Sequence, residues 1–258
     1  MKKTFLVILS VAILISSLSA CKSQGGLDTP DAPELENVVD YTTLGDPYNT
    51  ILAFATNPKD YEGQNIKITA LSSVVYNFEQ NRIEKQIMLG LDPTGCCNSL
   101  YEIRDEKGNY PVNGSETTFV GTFTADGYID IYSWISDTKA VSFELDTLTM
   151  SSSELSSFVS EYIGNYQNSP SANKKIRIFG HLSNYNGYPY LEGLNGSGVP
   201  IWYIELHDES GTISFPTVSG NIVNPVEVIG TLSFYYEGNI AYPCIIVEQL
   251  NKVECVFK

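Results

Sequence analysis

The chain has 258 residues, with 30 acidic residues against 15 basic ones and a formal charge of −15 at pH 7. A surface this anionic repels phosphate backbones, so we expect no nucleic-acid partner. The length is large for a single domain and ordinary for two domains of common size.

The first twenty residues have the features of a secretory signal peptide. Lys2 and Lys3 supply a positive start, and residues 5–18 are apolar except for three serines. This run is shorter than the roughly 20 residues that a membrane-spanning helix needs, and no later segment approaches that length. The sequence therefore predicts an exported chain whose body does not cross a bilayer.

The end of this segment, Leu18-Ser19-Ala20-Cys21, resembles the bacterial lipobox, in which small residues precede a cysteine that becomes acylated. The resemblance implies that residues 1–20 are removed and that lipid on Cys21 holds the protein at a membrane. It places the protein in the cell envelope, and at the periplasmic or surface face of the outer membrane if the cell is Gram-negative. An ordinary cleaved signal peptide with a chance cysteine is the alternative.

Residues 21–39 are polar and poor in large side chains, which is typical of a flexible tether. Removal of residues 1–20 would take away two basic residues and no acidic ones. The formal charge would then move from −15 to −17.

The rest of the chain is one unit that occurs twice. Residues 90–95 match 193–198, residues 102–108 match 205–211, residues 120–123 match 229–232, and residues 66–68 match 176–178. A tandem duplication explains these blocks more simply than chance. We therefore predict two repeats, over residues 40–147 and 148–258.

Within each copy, hydrophobic residues alternate with polar ones, as Ile66, Ile68 and Ala70 do. This is the pattern of strands with one buried face, and we count about five strands per copy. Gly121 and Gly230 stand inside matching strands, where a glycine often marks the bulge that lets a small barrel close.

Each copy also opens with a helical signal. Ser151 and Glu154 form a capping box ahead of an apolar face, and Gly164 is placed to end that helix. Before the first copy, Asp46-Pro47 caps a weaker run that stops at Asn57-Pro58.

A five-stranded set of this length, with a glycine in the closing strand, resembles the OB-fold barrel. The predicted fold is mainly β, with two tandem five-stranded OB-like barrels, each preceded by a short α-helix. Small domains of this kind are similar to parts of uncharacterised lipoproteins from gut bacteria. A pair of β-sandwiches is the structural alternative.

Motifs of hydrolases, metalloproteases, nucleotide sites and calcium sites are missing from the sequence. We therefore predict no enzymatic activity, no cofactor and no metal site. His181 and His207 have no nucleophile at a recognisable spacing and are predicted to be ordinary strand residues. Carboxylates that recur in both copies, such as Glu102 and Glu205, are most simply explained by the turn that both copies share. Features of one copy only are better functional candidates.

One such feature is the pair Cys96-Cys97, which stands where the second copy has Val199-Pro200. Adjacent cysteines can form a strained disulfide, pair with distant cysteines or bind a soft metal. Export would let disulfides persist, and Cys244 and Cys255 are the other candidates for pairing. Four cysteines allow three pairings, and the sequence does not choose among them.

The other feature is a concentration of aromatic residues in the second copy. The candidate ligand-binding residues are Tyr185, Tyr188, Tyr190, Trp202 and Tyr203, which surround or follow the tight turn Asn186-Gly187. Aromatic faces with polar tips suit sugar rings or peptide chains. Alternate tyrosines that simply face a core or a neighbouring domain are the alternative.

These features predict a non-catalytic, lipid-anchored envelope lipoprotein that binds a glycan or an envelope protein through its second repeat. A redox or metal-handling lipoprotein that uses Cys96 and Cys97 is one alternative. A structural spacer in the envelope is the other.

Overall fold

A computed structural model of the chain describes residues 35–44, 47–92, 94, 97–105, 110–135, 143–216 and 224–256. The predicted signal peptide, Cys21 and the tether up to residue 34 lie outside these residues, and so does Cys96. Residues from Leu35 onward belong to one unit of the chain. Neither α-helix in the described ranges has the length and apolar character needed to cross a membrane.

The described residues form two α-helices, α1 Tyr48–Thr56 and α2 Ser152–Asn165. In chain order their strands are β1 Val39–Asp40, β2 Asn65–Asn77, β3 Arg82–Gly90, β4 Asn98–Arg104, β5 Glu116–Phe123, β6 Ile129–Ile135, β7 Leu145–Asp146, β8 Lys175–Tyr185, β9 Tyr188–Leu194, β10 Pro200–His207, β11 Pro225–Glu237, β12 Ile240–Lys252 and β13 Glu254–Val256. Short 3-10 helices cover Tyr41–Thr43, Pro58–Tyr61 and Thr147–Thr149.

Strands β2 to β6 close into a first barrel of order β2-β3-β4-β6-β5, in which β5 pairs back with β2. Its neighbours are antiparallel except for β4 and β6, which are parallel. Strands β8 to β12 form a second barrel of the same order, with β10 and β12 as the parallel pair. This is the five-stranded Greek-key arrangement of the OB-fold. The predicted pair of OB-like barrels is therefore confirmed, and the β-sandwich alternative is wrong.

In each barrel, a glycine allows two neighbouring strands to approach closely where the sheet curves to close. The register of β5 shifts at Gly121, and that of β11 shifts at Gly230. A Cβ atom on Gly230 would lie 2.2 Å from the carbonyl oxygen of Ile246, and one on Gly121 would lie 2.7 Å from that of Asp130. Any side chain at either position would collide with backbone, so both glycines mark the bulges that the sequence predicts.

The same short lead-in precedes each barrel. The carboxylate of Asp40 accepts a hydrogen bond from the backbone N–H of Thr42, and that of Asp146 accepts one from Leu148, so each aspartate caps a 3-10 helix. Strands β1 and β7 then pair in parallel with β2 and β8. The duplicated unit thus contains a lead-in, and β7 joins the second barrel although it precedes the predicted boundary at residue 148.

Both predicted helices form. Ser151 and Glu154 make the two reciprocal hydrogen bonds of the capping box at the start of α2, and Val159 and Tyr162 enter the core of the second barrel. The helix continues through Gly164 to Asn165, so this glycine does not end it. Helix α1 ends before Asn57, where the sequence predicts it to stop, and packs into the core of the first barrel.

The two barrels share structural elements. Strand β13 follows the second barrel in the sequence but pairs in parallel with β2 of the first barrel. Phe179 and Val253 also pack into the core of the first barrel. Residues 253–256 therefore pack with the first barrel, although they fall within the range 148–258 that the sequence assigns to the second repeat.

A buried arginine lies where the barrels meet. Arg177 is fully buried and pairs with Asp146 through two hydrogen bonds, one of which joins Nε to Oδ1 at 2.9 Å. Its Nη1 donates to the carbonyl oxygens of Tyr110 and Pro111 in the first barrel, at 2.6 and 3.0 Å. The fully buried Glu227 lies 3.9 Å from the same Nη1. This polar cluster connects the two barrels through satisfied charges.

Candidate functional site

The predicted tyrosines lie together on the outer surface of the second barrel. Tyr185 ends β8, Tyr188 begins β9, and the two face each other across the Asn186-Gly187 turn. Both turn residues have positive φ, as a tight hairpin requires. We call Tyr185, Tyr188, Tyr190 and Tyr203 the tyrosine face. Tyr185 lies at the end of the first strand of the barrel, and the other three lie on the second and third strands, the surface that OB barrels use for ligands.

Three rings of the tyrosine face, those of Tyr185, Tyr190 and Tyr203, are in contact. Tyr190 lies between Tyr185 and Tyr203, with ring centroids 5.5 and 6.0 Å apart and edge-to-face geometry in both pairs. Tyr185, Tyr188 and Tyr203 are 50%, 54% and 60% exposed. A contiguous surface of ring edges and faces is therefore open to solvent, with hydroxyl groups at its margin.

Two buried carboxylates lie among these rings. Glu205 is opposite Tyr190 on the neighbouring strand and accepts hydrogen bonds from the hydroxyls of Tyr190 (3.3 Å) and Tyr235 (2.9 Å). Glu192 is opposite Tyr203 and accepts a hydrogen bond from the hydroxyl of Tyr185. The carboxylates hold the tyrosine hydroxyls in place and add acceptor oxygens for a ligand.

The surroundings of Tyr185, Tyr190 and Tyr235 all raise the pKa of the phenol. The hydrogen bond to Glu192 and its negative charge raise the pKa of Tyr185. Burial, followed by the Glu205 carboxylate, raises the pKa of Tyr190, and burial and Glu205 raise that of Tyr235 as well. All three hydroxyls therefore stay protonated at neutral pH and act as hydrogen-bond donors.

Trp202 does not belong to the tyrosine face, although the sequence groups it there. It is 5% exposed and packs in the core of the second barrel. Its ring lies against Gly193, where a Cβ atom would be 2.1 Å from the indole. Alternation explains the difference, because Tyr203 points outward from β10 and its neighbour Trp202 must then point inward.

The first barrel has no such face. Gln86 pairs with Glu102 there, as Tyr190 pairs with Glu205 in the second barrel. Leu100, which is opposite Met88, takes the place of Tyr203. Tyrosines on this surface are thus a property of one copy only, although the carboxylate of Glu205 recurs in both.

The cysteines do not gather into a site within the described residues. Cys97 is exposed in the loop after β3, where its backbone N–H donates to Asp92 at 2.9 Å. Cys244 lies in the second barrel and Cys255 on β13, and both are free thiols. Burial raises the pKa of Cys244 to about 12 and also raises that of Cys255, which disfavours the reactive thiolate. Cys96 lies outside the described residues.

Metal-ligand types do not cluster in the described part of the chain either, where no group of three histidine, cysteine, aspartate or glutamate residues could hold an ion. Of the recurring carboxylates, Asp208 caps the turn after β10 through backbone N–H groups of Ser210, Gly211 and Ile213. Asp105 accepts a hydrogen bond from the Trp134 indole at 2.9 Å. Glu205 differs, because it lies beneath the tyrosine face, and no local pattern in the sequence indicates that position.

No family model matches the chain, and no curated protein matches it. Among solved structures, a deletion mutant of the single-stranded DNA-binding protein from Thermus aquaticus is similar at 10% sequence identity. The match covers 76% of this chain and 98% of that chain, with a TM-score of 0.20. A likeness this distant carries no argument about what this chain binds.

The exclusion of a nucleic-acid partner, however, is wrong. It depended on net charge alone, and the formal charge of a whole chain does not determine which ligands a local surface binds. The second and third strands of OB barrels bind oligonucleotides as well as oligosaccharides, and the local potential at a site can differ from the formal charge of the chain. Single-stranded DNA therefore belongs among the ligands to be tested.

Proposed function

We propose that this protein is a non-catalytic binding lipoprotein of the cell envelope, anchored by lipid on Cys21, that recognises a glycan or a protein through its tyrosine face. The observation that carries the proposal is the cluster of Tyr185, Tyr188, Tyr190 and Tyr203 on β8, β9 and β10 of an OB barrel, in which all but Tyr190 are at least half exposed.

The chemistry of this surface favours a ligand with flat apolar faces and hydroxyl or amide groups. Tyrosine rings offer large rigid contact areas at a low cost in side-chain entropy. The tyrosine hydroxyls donate hydrogen bonds, and the carboxylates of Glu192 and Glu205 accept them. Sugar rings and extended peptides both present this combination of apolar faces and polar edges.

The duplication supports the same surface. The first barrel has the same fold but carries Gln86 and Leu100 at the positions of Tyr190 and Tyr203. The fold itself therefore does not require tyrosines there. Exposed aromatic residues that the fold does not require are candidates for binding.

The test is a binding screen of the purified full-length protein against a glycan array, cell-wall fragments, envelope proteins and single-stranded DNA. We expect a glycan or protein ligand whose affinity falls at least tenfold, about 1.4 kcal/mol, in the double variant Tyr188→Ala/Tyr203→Ala. Tyr236→Ala is the control, since Tyr236 is 64% exposed on the β11–β12 hairpin and outside the tyrosine face.

Each possible outcome decides the proposal. Glycan or protein binding that is unchanged in the double variant would remove the tyrosine face from recognition. Binding of single-stranded DNA alone, lost in the same variant, would replace the proposed ligand class by nucleic acid. Equal losses in the double variant and in Tyr236→Ala would indicate a general effect of removing exposed tyrosines.

The anchor is tested separately. Mass spectrometry of the protein from the membrane fraction should show acylation of Cys21 and loss of residues 1–20, and Cys21→Ala should abolish the acylation. An unacylated precursor that retains Met1 would contradict the proposed address but leave the tyrosine face untouched.

A further inference from the structure

A cavity lies between the two barrels, apart from the tyrosine face. Its volume is about 180 Å³, and its walls come from the β2–β3 hairpin of the first barrel, from β8 to β10 of the second barrel and from the segment that leads into α2. None of the four residues of the tyrosine face lines it. Any ligand of this cavity would therefore be distinct from a ligand of that face.

The walls are mostly apolar and aromatic. Phe179, Trp202 and Tyr76 supply rings, and Leu148 and Leu155 supply aliphatic surface. At the rim stand Arg82, Ser151 and Ile201, which are exposed, so the cavity has a route to solvent. Arg82 is already paired with Glu84 at 2.9 Å, so its charge is compensated.

Two buried polar side-chain atoms in the walls have no hydrogen-bond partner among the described residues. They are Nδ1 of His181 and Oγ1 of Thr147, and their residues are 7% and 4% exposed. Leaving a buried polar atom unsatisfied is costly, and native proteins rarely do so without a function or a bound molecule. Both residues line the cavity, so a molecule inside it could bond to either atom.

The fold holds these groups in place. The ring of Tyr76 packs edge-on against His181, with centroids 4.7 Å apart. Gly193 allows the Trp202 ring to lie against β9, where any side chain would displace it. Burial lowers the pKa of His181 to about 4, so the imidazole is neutral at physiological pH and offers one donor and one acceptor nitrogen.

Size and polarity together select the ligand. An apolar cavity of about 150 Å³ holds benzene, so a cavity slightly larger than that accommodates one aromatic ring with a small substituent. Two unpartnered atoms match one or two polar groups, whereas a monosaccharide of similar size has more hydroxyls than these walls can satisfy. An anionic ligand is disfavoured, because Arg82 at the rim is already paired with Glu84 and its charge is compensated.

We propose that this cavity is a binding site for a small phenol, whose ring occupies the apolar space and whose hydroxyl bonds to both His181 and Thr147. The site is made by both barrels together and is a second binding function, independent of the tyrosine face.

The probes are p-cresol and, as its partner without the hydroxyl, toluene, both titrated into the full-length protein by calorimetry. We expect saturable binding of p-cresol below about 1 mM and weaker binding of toluene. Trp202 lines the cavity and the chain has 2 tryptophans, so Trp134→Phe leaves Trp202 as the only indole, and its fluorescence should change on binding.

The variants separate the polar contacts from the shape of the cavity. Thr147→Val and His181→Phe should each weaken p-cresol by about tenfold and leave toluene within about twofold. Thr149→Val is the matched control, because Thr149 is exposed on the same 3-10 helix and does not line the cavity. Ile201→Trp fills the rim and should abolish the binding of both probes.

The proposal fails if the native protein shows no saturable binding of p-cresol, which would mean that water alone occupies the cavity. It also fails if p-cresol and toluene bind equally, or if Thr147→Val leaves p-cresol unaffected. Thermal unfolding shows whether each variant is folded. If His181→Phe does not fold, the effect of Thr147→Val on p-cresol binding tests the proposal.

Discussion

Replacement of Arg177 by alanine should destabilise the protein more than any other single loss of charge in the described residues. The guanidinium is fully buried, holds Asp146 through two hydrogen bonds and spans to the carbonyl oxygens of Tyr110 and Pro111 in the first barrel. Without it, the fully buried Glu227 and the largely buried Asp146 would face each other without a cation.

The expected cost follows from this geometry. Removal of one partner from a buried ion pair typically destabilises a protein by about 3–5 kcal/mol, because the remaining charge stays desolvated. For a chain of this length, each kcal/mol corresponds to about 2–4 °C in Tm, so Arg177→Ala should lower Tm by about 6–20 °C. Burial already raises the pKa of Glu227, so acid should partly relieve the variant by protonating this carboxylate.

The duplication supplies the control. Lys67 on β2 takes the place of Arg177, and it pairs with Asp40 at 2.9 Å just as Arg177 pairs with Asp146, but in a solvent-accessible setting. Thermal and urea unfolding of Lys67→Ala and Arg177→Ala should therefore differ widely, with only a small loss for the lysine variant. If the two variants unfold at the same temperature, burial does not determine the contribution of Arg177 and the reasoning is refuted.

Three further predictions concern pH, a glycine that closes a barrel and a glycine within α2. Burial lowers the pKa of His181 to about 4 from its usual 6.5, so on acidification the unfolded chain binds a proton before the folded protein does. The contribution of this residue to the free energy of unfolding is therefore fully present above pH 6.5 and falls by about 3 kcal/mol as the pH drops to 4. In urea unfolding measured across this pH interval, His181→Phe should lose less free energy of unfolding than the native protein. Equal losses for the two proteins would show that His181 is not the group responsible. Gly230→Ala should prevent or severely weaken folding, because its Cβ would lie 2.2 Å from a carbonyl oxygen. Gly164→Ala should instead raise stability by up to about 1 kcal/mol in thermal unfolding, because Gly164 lies within α2 and a Cβ there meets nothing within 4 Å.

Much of the fold could be predicted because the signals are local. The alternation of Ile66, Ile68 and Ala70 is a property of adjacent residues, and so is the capping box of Ser151 and Glu154. The duplication then constrained the rest, since two copies of one pattern restrict the possible architectures more than one copy does.

The errors arose where the outcome depends on residues distant in sequence. Tyr203 and Trp202 are adjacent and equally aromatic, and only the register of β10 against β9 shows which one faces solvent. The partners of Arg177 are 66 and 67 residues away at Pro111 and Tyr110, so no local pattern could reveal the inter-barrel cluster. The cavity was unpredictable for the same reason, because its walls come from both copies.

The two barrels differ in their outer surfaces but pack as one structural unit. Phe179, on β8 of the second barrel, packs in the core of the first barrel, and β13 completes a sheet of the first barrel after the second has ended. A second barrel produced alone would expose Phe179 and leave Arg177 without the carbonyl oxygens that satisfy it. The tyrosine face and the cavity must therefore be studied in the intact pair. The first barrel closes one wall of the cavity, although its own outer strands carry Gln86 and Leu100 where the second barrel presents tyrosines, so both proposed sites would depend on the pair.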